Sequence, residues 1–321
     1  MKRASRLKGW LCAGGLVWAC SVQVPDEEEL FANAGRGGSA ASGGSAGTSG
    51  AAGSSGSGGA DASGDGASGD SALAEAGDGP DAAGPFQPNV GLLIHYTFDE
   101  SSGDIVHDQN SSDNNARAIG TVTWLTTGKI GGALQLPGGT MSDAGVTPPY
   151  VELPRNVLLP LSATTIAIWF RWEGGSNPQH VFDLGSGLPS WVYFSPLFAG
   201  GPRVGVHKIG QPDDYFDVFV SGNVEVGRWT HVAITWDAGS LDVYLDGAPV
   251  GRISPPEAPV TEALILPKDL GNTTKNWIGR SQFTPPEAFN DPFFAGTVDE
   301  FRIYDRVLPA AHVAALHALG E

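Results

Sequence analysis

After Pro88 the chain alternates short apolar runs with clusters of Gly, Pro, Asn and Asp, and this spacing predicts the strands of an all-β sandwich. The predicted strands are Leu92 to Phe98, Tyr150 to Leu153, Thr165 to Trp172, Val181 to Leu184, Val192 to Ser195, Val204 to His207, Tyr215 to Val220, Thr230 to Asp237, Leu241 to Leu245, Val250 to Ile253, Trp277 to Gly279 and Gly296 to Tyr304. The clearest unit runs from Arg228 to Gly247. Alternation there puts Val232, Ile234 and Trp236 on one face, and Val243 and Leu245 join them across a hairpin. Asp246-Gly247 then supplies residues that tolerate positive φ, for a second tight turn into Val250. One helix is predicted, at the end: Pro309 suits its first turn, and Val313, Leu316 and Leu319 repeat at helical spacing to cap the sandwich.

Before Pro85 the pattern is different. Glycine is densest between Ala34 and Gly84, which hold 17 of the 46, among Ala, Ser and scattered Asp, a composition that cannot offset the entropy of ordering. This reads as a flexible stalk holding the folded part away from a surface. Ahead of it, Lys2, Arg3, Arg6 and Lys8 precede an apolar run from Gly9 to Ala19, too short to span a bilayer and suited to an export signal. The run ends Leu16-Val17-Trp18-Ala19-Cys20, which resembles a bacterial lipobox. That resemblance implies lipidation at Cys20, and Ser21 after it implies the outer membrane or cell surface of a Gram-negative bacterium. The expected division is therefore a lipoprotein signal peptide over 1–19, a disordered linker over 20–85 and one folded domain over 86–321.

The formal charge of -17 argues against nucleic acid as a partner and leaves the lipid anchor as the sole expected membrane contact. An acidic balance suits a calcium-rich exterior and equally suits simple solubility. Both cysteines, Cys12 and Cys20, lie in the signal region, so no disulfide is expected in the domain.

Several runs, taken together and in order, resemble one family. They are Tyr96-Thr97-Phe98-Asp99-Glu100 with Asp108 following, Trp169 in its long strand, the hairpin from Trp229 to Gly247, and Gly296 to Leu308. As a set they resemble the laminin-G-like domain of the concanavalin A-like lectin/glucanase superfamily. The resemblance implies a jelly-roll β-sandwich of two antiparallel sheets with a short C-terminal helix. It also implies a structural calcium ion, with Asp99 and Asp299 brought together from the first and last strands and with Asp108, Asn110 and Asn115 as further ligands. The alternative is that Asp99 and Asp299 cap turns or pair with Arg302 or Arg306.

For a ligand, Trp172, Trp191, Tyr193, Tyr215 and Trp277 are the rings that stack on a sugar face or, alternatively, pack in the core. Trp169, Trp229 and Trp236 are assigned to the core. Catalytic patterns are missing from the 86–321 domain. It has no Glu-x-Asp-x-x-Glu strand, no Gly-x-Ser-x-Gly turn and no paired zinc spacing among its histidines, and His312 and His317 read as solvent-facing helix residues. The first functional reading is a non-enzymatic, surface-anchored module recognising a glycan or protein ligand. A glycosidase or lyase drawing acids from Glu152, Glu173, Asp183, Asp217 and Asp242 is the second, and a structural or adhesive domain the third.

Overall fold

The computed structural model describes residues 84–141, 147–211, 214–256, 263–284 and 289–321. The signal peptide, Cys20 and nearly all of the linker lie outside the described residues. Two antiparallel eight-stranded sheets face each other. The first runs β14 (Ala248–Ile253), β13 (Leu241–Leu245), β12 (Trp229–Trp236), β7 (Thr164–Trp172), β16 (Phe293–Tyr304), β5 (Ala133–Gly139) and β4 (Thr123–Leu125), with β1 (Leu92–Tyr96) also on β16. The second runs β11 (Tyr215–Phe219), β10 (Gly201–Lys208), β9 (Ser190–Phe198), β8 (Phe182–Gly185), β15 (Lys275–Ile278), β6 (Tyr150–Glu152), β3 (Ala116–Ile119) and β2 (Ile105–Val106). The helix α1 is Ala310–Ala318.

The hairpin expected from alternation forms in the expected register, Val232 opposite Leu245, Ile234 opposite Val243 and Trp236 opposite Leu241. The turn after it takes positive φ at Asp246 (49°) and Gly247 (76°), which matches the right-handed twist of the flanking strands. Between the sheets, Ile166, Ile168 and Phe170 of β7 meet Val192, Phe194 and Val204 of the second sheet, all buried. β7 is buried on both faces because α1 covers the outside of the first sheet, where Val313 and Leu316 pack with Leu92, Tyr304 and Leu308.

Some expectations change. β2, β3, β4 and β5 were absent from the predicted strands; the first three are two to four residues long, and β5 ends in Pro137-Gly138-Gly139, although Leu134 and Leu136 alternate inward on it. Leu319 is 47% exposed and does not anchor α1. Trp229, expected in the core, is half-exposed beside the Arg171 guanidinium, because it begins an edge of β12 beyond the helix cover. Trp169 is buried, but outside the sandwich interior: His317 stacks on it at 5.1 Å and the Lys129 ammonium lies 4.3 Å from its ring. His317 therefore faces the sheet rather than solvent. His312 likewise turns inward, its Nε2 at 2.8 Å from the Gly84 carbonyl and its ring 5.4 Å from Phe86.

β16 changes partner along its length, pairing β5 from Phe293 to Val298 and β1 from Phe301 to Tyr304. The change falls at a bulge between Asp299 and Arg302, where Glu300 takes φ 54°.

Candidate ligand-binding face

The outer face of the second sheet carries two cross-strand rows. In the first, Glu152, Trp277, Asp183, Tyr193, Gly205 and Asp217 stand side by side across β6, β15, β8, β9, β10 and β11. In the second, Lys275, Gly185, Trp191, His207 and Tyr215 do the same two residues further along. Strands about 4.8 Å apart make the first row roughly 24 Å long. All four of the main ligand candidates, Trp191, Tyr193, Tyr215 and Trp277, fall in these rows. Trp172 does not: it points into the sandwich core, its Nε1 donating to Gln179 Oε1 at 3.2 Å.

The rings form a continuous series. His180 lies against Tyr193 at 4.0 Å, Tyr193 against Trp191 at 5.1 Å, and Trp191 meets His207 at 5.3 Å and Tyr215 at 5.7 Å. Gly205 makes this possible, since a Cβ there would stand 2.7 Å from the Tyr193 ring. Of the two readings given to these rings, packing describes three of them. Trp191, Tyr193 and Trp277 are 3%, 2% and 6% exposed, because Phe283 covers Trp191, Phe198 approaches Tyr193 and the Arg280 guanidinium lies 4.1 Å from the Trp277 ring centre. Tyr215 is half-buried and keeps an open edge.

Polar groups are buried among these rings. His180 Nδ1 is 2.7 Å from Asp183 Oδ2, which also accepts the Gln282 backbone N–H at 2.9 Å. Burial nonetheless pushes the Asp183 carboxyl above the usual carboxylate range. Asp217 is held by Arg203 and by the Tyr215 hydroxyl, yet burial pushes it up to about 6. Five buried atoms of this face have no hydrogen-bond partner among the described residues: His180 Nε2, Asp183 Oδ1, His207 Nδ1, Asp217 Oδ1 and Trp277 Nε1.

Of the acids considered for catalysis, Glu152, Asp183 and Asp217 share the first row, whereas Glu173 pairs with Arg171 at the end of β7 and Asp242 with Arg252 on the other sheet. The two buried ones, Asp183 and Asp217, stand three strands apart, about 14 Å at the backbone. A paired-carboxylate hydrolase works at roughly 5 to 10 Å.

The expected calcium residues divide into two groups. Asp299 Oδ2 accepts the backbone N–H groups of Lys129 (2.8 Å) and Ile130 (2.9 Å), and Asp99 Oδ1 accepts that of Gly132 (2.6 Å), so both carboxylates clasp one turn. Asp299 Oδ1 is buried without a partner among the described residues, and burial, with Glu300 and Asp99 nearby, pushes its carboxyl up to about 7. Asp108 and Asn115 serve another loop: Asp108 accepts from the amides of His95, Asn110 and Ser111, and Asn115 Oδ1 from the amide of Asp108. Asn110 donates its amide to Leu92 O at 3.0 Å. Among the described residues no three His, Cys, Asp or Glu side chains converge as a metal cluster.

Residues 146–314 match the laminin G 3 family, described as the concanavalin A-like lectin/glucanases superfamily. No curated protein matches the chain. Among solved structures, domain 4 of AbnA, a GH43 extracellular arabinanase from Geobacillus stearothermophilus in complex with arabinotriose, is 20% identical with a TM-score of 0.53, over 70% of this chain and 98% of that one. The binding domain of botulinum neurotoxin DC in complex with SialylT is 14% identical, TM-score 0.52, over 73% of this chain and 52% of that one. The same toxin domain in complex with rat synaptotagmin II is 12% identical, TM-score 0.51, over 73% and 53%. The chain thus spans about half the length of the toxin domains it matches. At these identities the likeness is one of fold.

Proposed function

The chain belongs to the concanavalin A-like lectin/glucanases superfamily, and from that premise we propose that it is a non-enzymatic binding module whose second-sheet outer face takes a saccharide. The observation that carries this reading is the continuous ring series on one outer sheet face, from Tyr193 through Trp191 to His207 and the half-buried Tyr215, with Asp217 held against the Tyr215 hydroxyl. A saccharide offers apolar ring faces to such aromatics and hydroxyls to the polar groups at their edge. The solved neighbours are themselves described as binding domains or as a domain holding arabinotriose.

The test is the full chain on a glycan array, followed by incubation with the polysaccharides that score. The expected result is binding that weakens in Tyr215→Ala, with no new reducing or unsaturated ends. Release of ends would overturn the non-enzymatic reading, and capture of proteins without any glycan would overturn the saccharide reading.

Display at the cell surface belongs to the same proposal, with Cys20 as the lipidated residue. Radiolabelled palmitate should enter the wild-type chain and not Cys20→Ala; equal labelling of both removes the anchor. Calcium also stays within the proposal, reduced to the pair Asp99 and Asp299. Two carboxylates fall short of the six to eight oxygens that calcium takes, so weak binding is expected.

A further inference from the structure

Four arginines of the described domain are not exposed: Arg171, Arg203, Arg280 and Arg302. Three of them have acids. Arg171 Nε is 2.9 Å from Glu173, Arg203 pairs with Asp217, and Arg302 pairs with Glu300. Arg280 meets no carboxylate among the described residues. Its Cζ instead lies 4.1 Å from the ring centre of Trp277, 4.8 Å from that of Tyr150 and 5.6 Å from that of Phe293.

This arrangement fixes a cation without neutralising it. Nε donates to Thr284 Oγ1 at 3.0 Å, and the Thr284 hydroxyl donates onward to Ser281 O at 3.0 Å, so the inner end of the guanidinium is held by neutral groups. The ring faces attract the cation through their quadrupoles and leave its charge intact. Among the described residues, both terminal nitrogens are without a hydrogen-bond partner. The Trp277 ring against which the guanidinium lies has its Nε1 buried and without an acceptor among the described residues. Glu152, the cross-strand neighbour of Trp277, is exposed and acts on Arg117.

We propose that Arg280 and Trp277 form a subsite for the carboxylate of an acidic saccharide, of the uronic or sialic type. The proposal rests on the saccharide reading above and narrows it. A guanidinium fork matches a carboxylate with two parallel, charge-assisted hydrogen bonds, and partial desolvation over three rings strengthens them. A neutral hydroxyl offers no such pairing. The position suits recognition along a chain, because Trp277 stands second, after Glu152, in the row that continues through Tyr193 to Asp217.

The experiment uses the full chain and two matched pairs of probes: oligogalacturonate against its methyl ester, and sialyllactose against lactose. The wild type should bind at least one free acid about tenfold more tightly than its neutral counterpart. The pair that does so identifies the sugar type. Arg280→Gln should lose this preference, with near-UV circular dichroism confirming the fold, and Arg280→Lys should restore part of it. Equal binding of acid and neutral probes by the wild type, or an undiminished preference in Arg280→Gln, overturns the subsite and leaves the saccharide reading standing. Failure of a folded wild type to bind any saccharide on the array overturns both.

Discussion

His180 lies flat against Tyr193, ring centroids 4.0 Å apart and planes 14° apart, while its Nδ1 is 2.7 Å from Asp183 Oδ2. Both members of the His180 and Asp183 pair are sealed from solvent, at 1% and 0% exposure. Removing the imidazole strands a buried carboxylate and opens a gap behind Tyr193. His180→Ala should therefore cost about 3 to 5 kcal/mol in urea denaturation followed by tryptophan fluorescence. Asp183→Asn should cost less, because burial already disfavours the charge it removes. Equal losses in the two variants would contradict this account.

Asp299 makes stability depend on pH. Its carboxyl titrates near 7 when folded, against an ordinary value of 3.8. The folded state thus holds the proton more tightly, and the contribution is complete below about 3.8 and is lost as pH rises toward 7. Asp299→Asn keeps an acceptor for Lys129 and Ile130 and escapes that loss. Its melting temperature relative to wild type should climb between pH 4 and pH 8, a range spanning about four decades of proton activity. Calcium added at the upper end should raise the wild type and not the variant. A pH-independent difference would remove the titration argument, and an equal calcium response would remove Asp299 as a ligand.

Gly205 tests the ring series. A methyl at this position meets Tyr193 Cε1 and Cζ at 2.7 Å and its hydroxyl oxygen at 2.9 Å. Gly205→Ala should cost about 1 to 3 kcal/mol. Combining it with Tyr193→Ala should cost less than the sum of the two single changes, because the clash disappears with the ring. Strict additivity would show that Tyr193 does not lie over β10.

The helix offers a contrast between two leucines three residues apart. Leu316 is 1% exposed and Leu319 47%. Leu316→Ala should cost about 2 to 5 kcal/mol and Leu319→Ala within about 0.5 kcal/mol. Comparable losses would mean that Leu319 packs as its spacing first implied.

The sandwich was legible because its long strands alternate and its turns are marked by Asp246-Gly247 and similar pairs. The stretch from Ile105 to Gly139 was less so. There the strands are as short as two residues, and Pro137, Gly138 and Gly139 interrupt the alternation of β5. The aromatic candidates were found by residue type, but not their cover: Ser190 to Phe198 is apolar on both faces, so period-two reading cannot tell which rings meet solvent. Trp229 was misplaced for the opposite reason, since a tryptophan at a strand end lacks the neighbours of one in the middle.

Arg280 carried no signal of its own. An isolated arginine after Trp277-Ile278-Gly279 looks like any residue leaving a strand. Its meaning comes from Tyr150 and Phe293, far away in sequence, and from the carboxylates that the other unexposed arginines have and that it lacks among the described residues. The family resemblance placed Asp99 and Asp299 near each other for calcium, while their hold on the backbone of one turn matches the alternative that they cap turns. That Asp108 and Asn115 are spent on backbone amides follows from local loop geometry, which residue type does not encode.

The contact of Gly84 and Phe86 with His312 has a geometric consequence. Whatever precedes Gly84 joins the domain beside α1, on the outside of the first sheet, whereas the aromatic rows lie on the outside of the second. The chain from Gly84 enters β1, which pairs with β16 in the first sheet and continues directly into β2 at the edge of the second. The point where the upstream chain enters and the aromatic rows therefore lie on opposite outer faces of the sandwich, so the rows are left uncovered by that entry point.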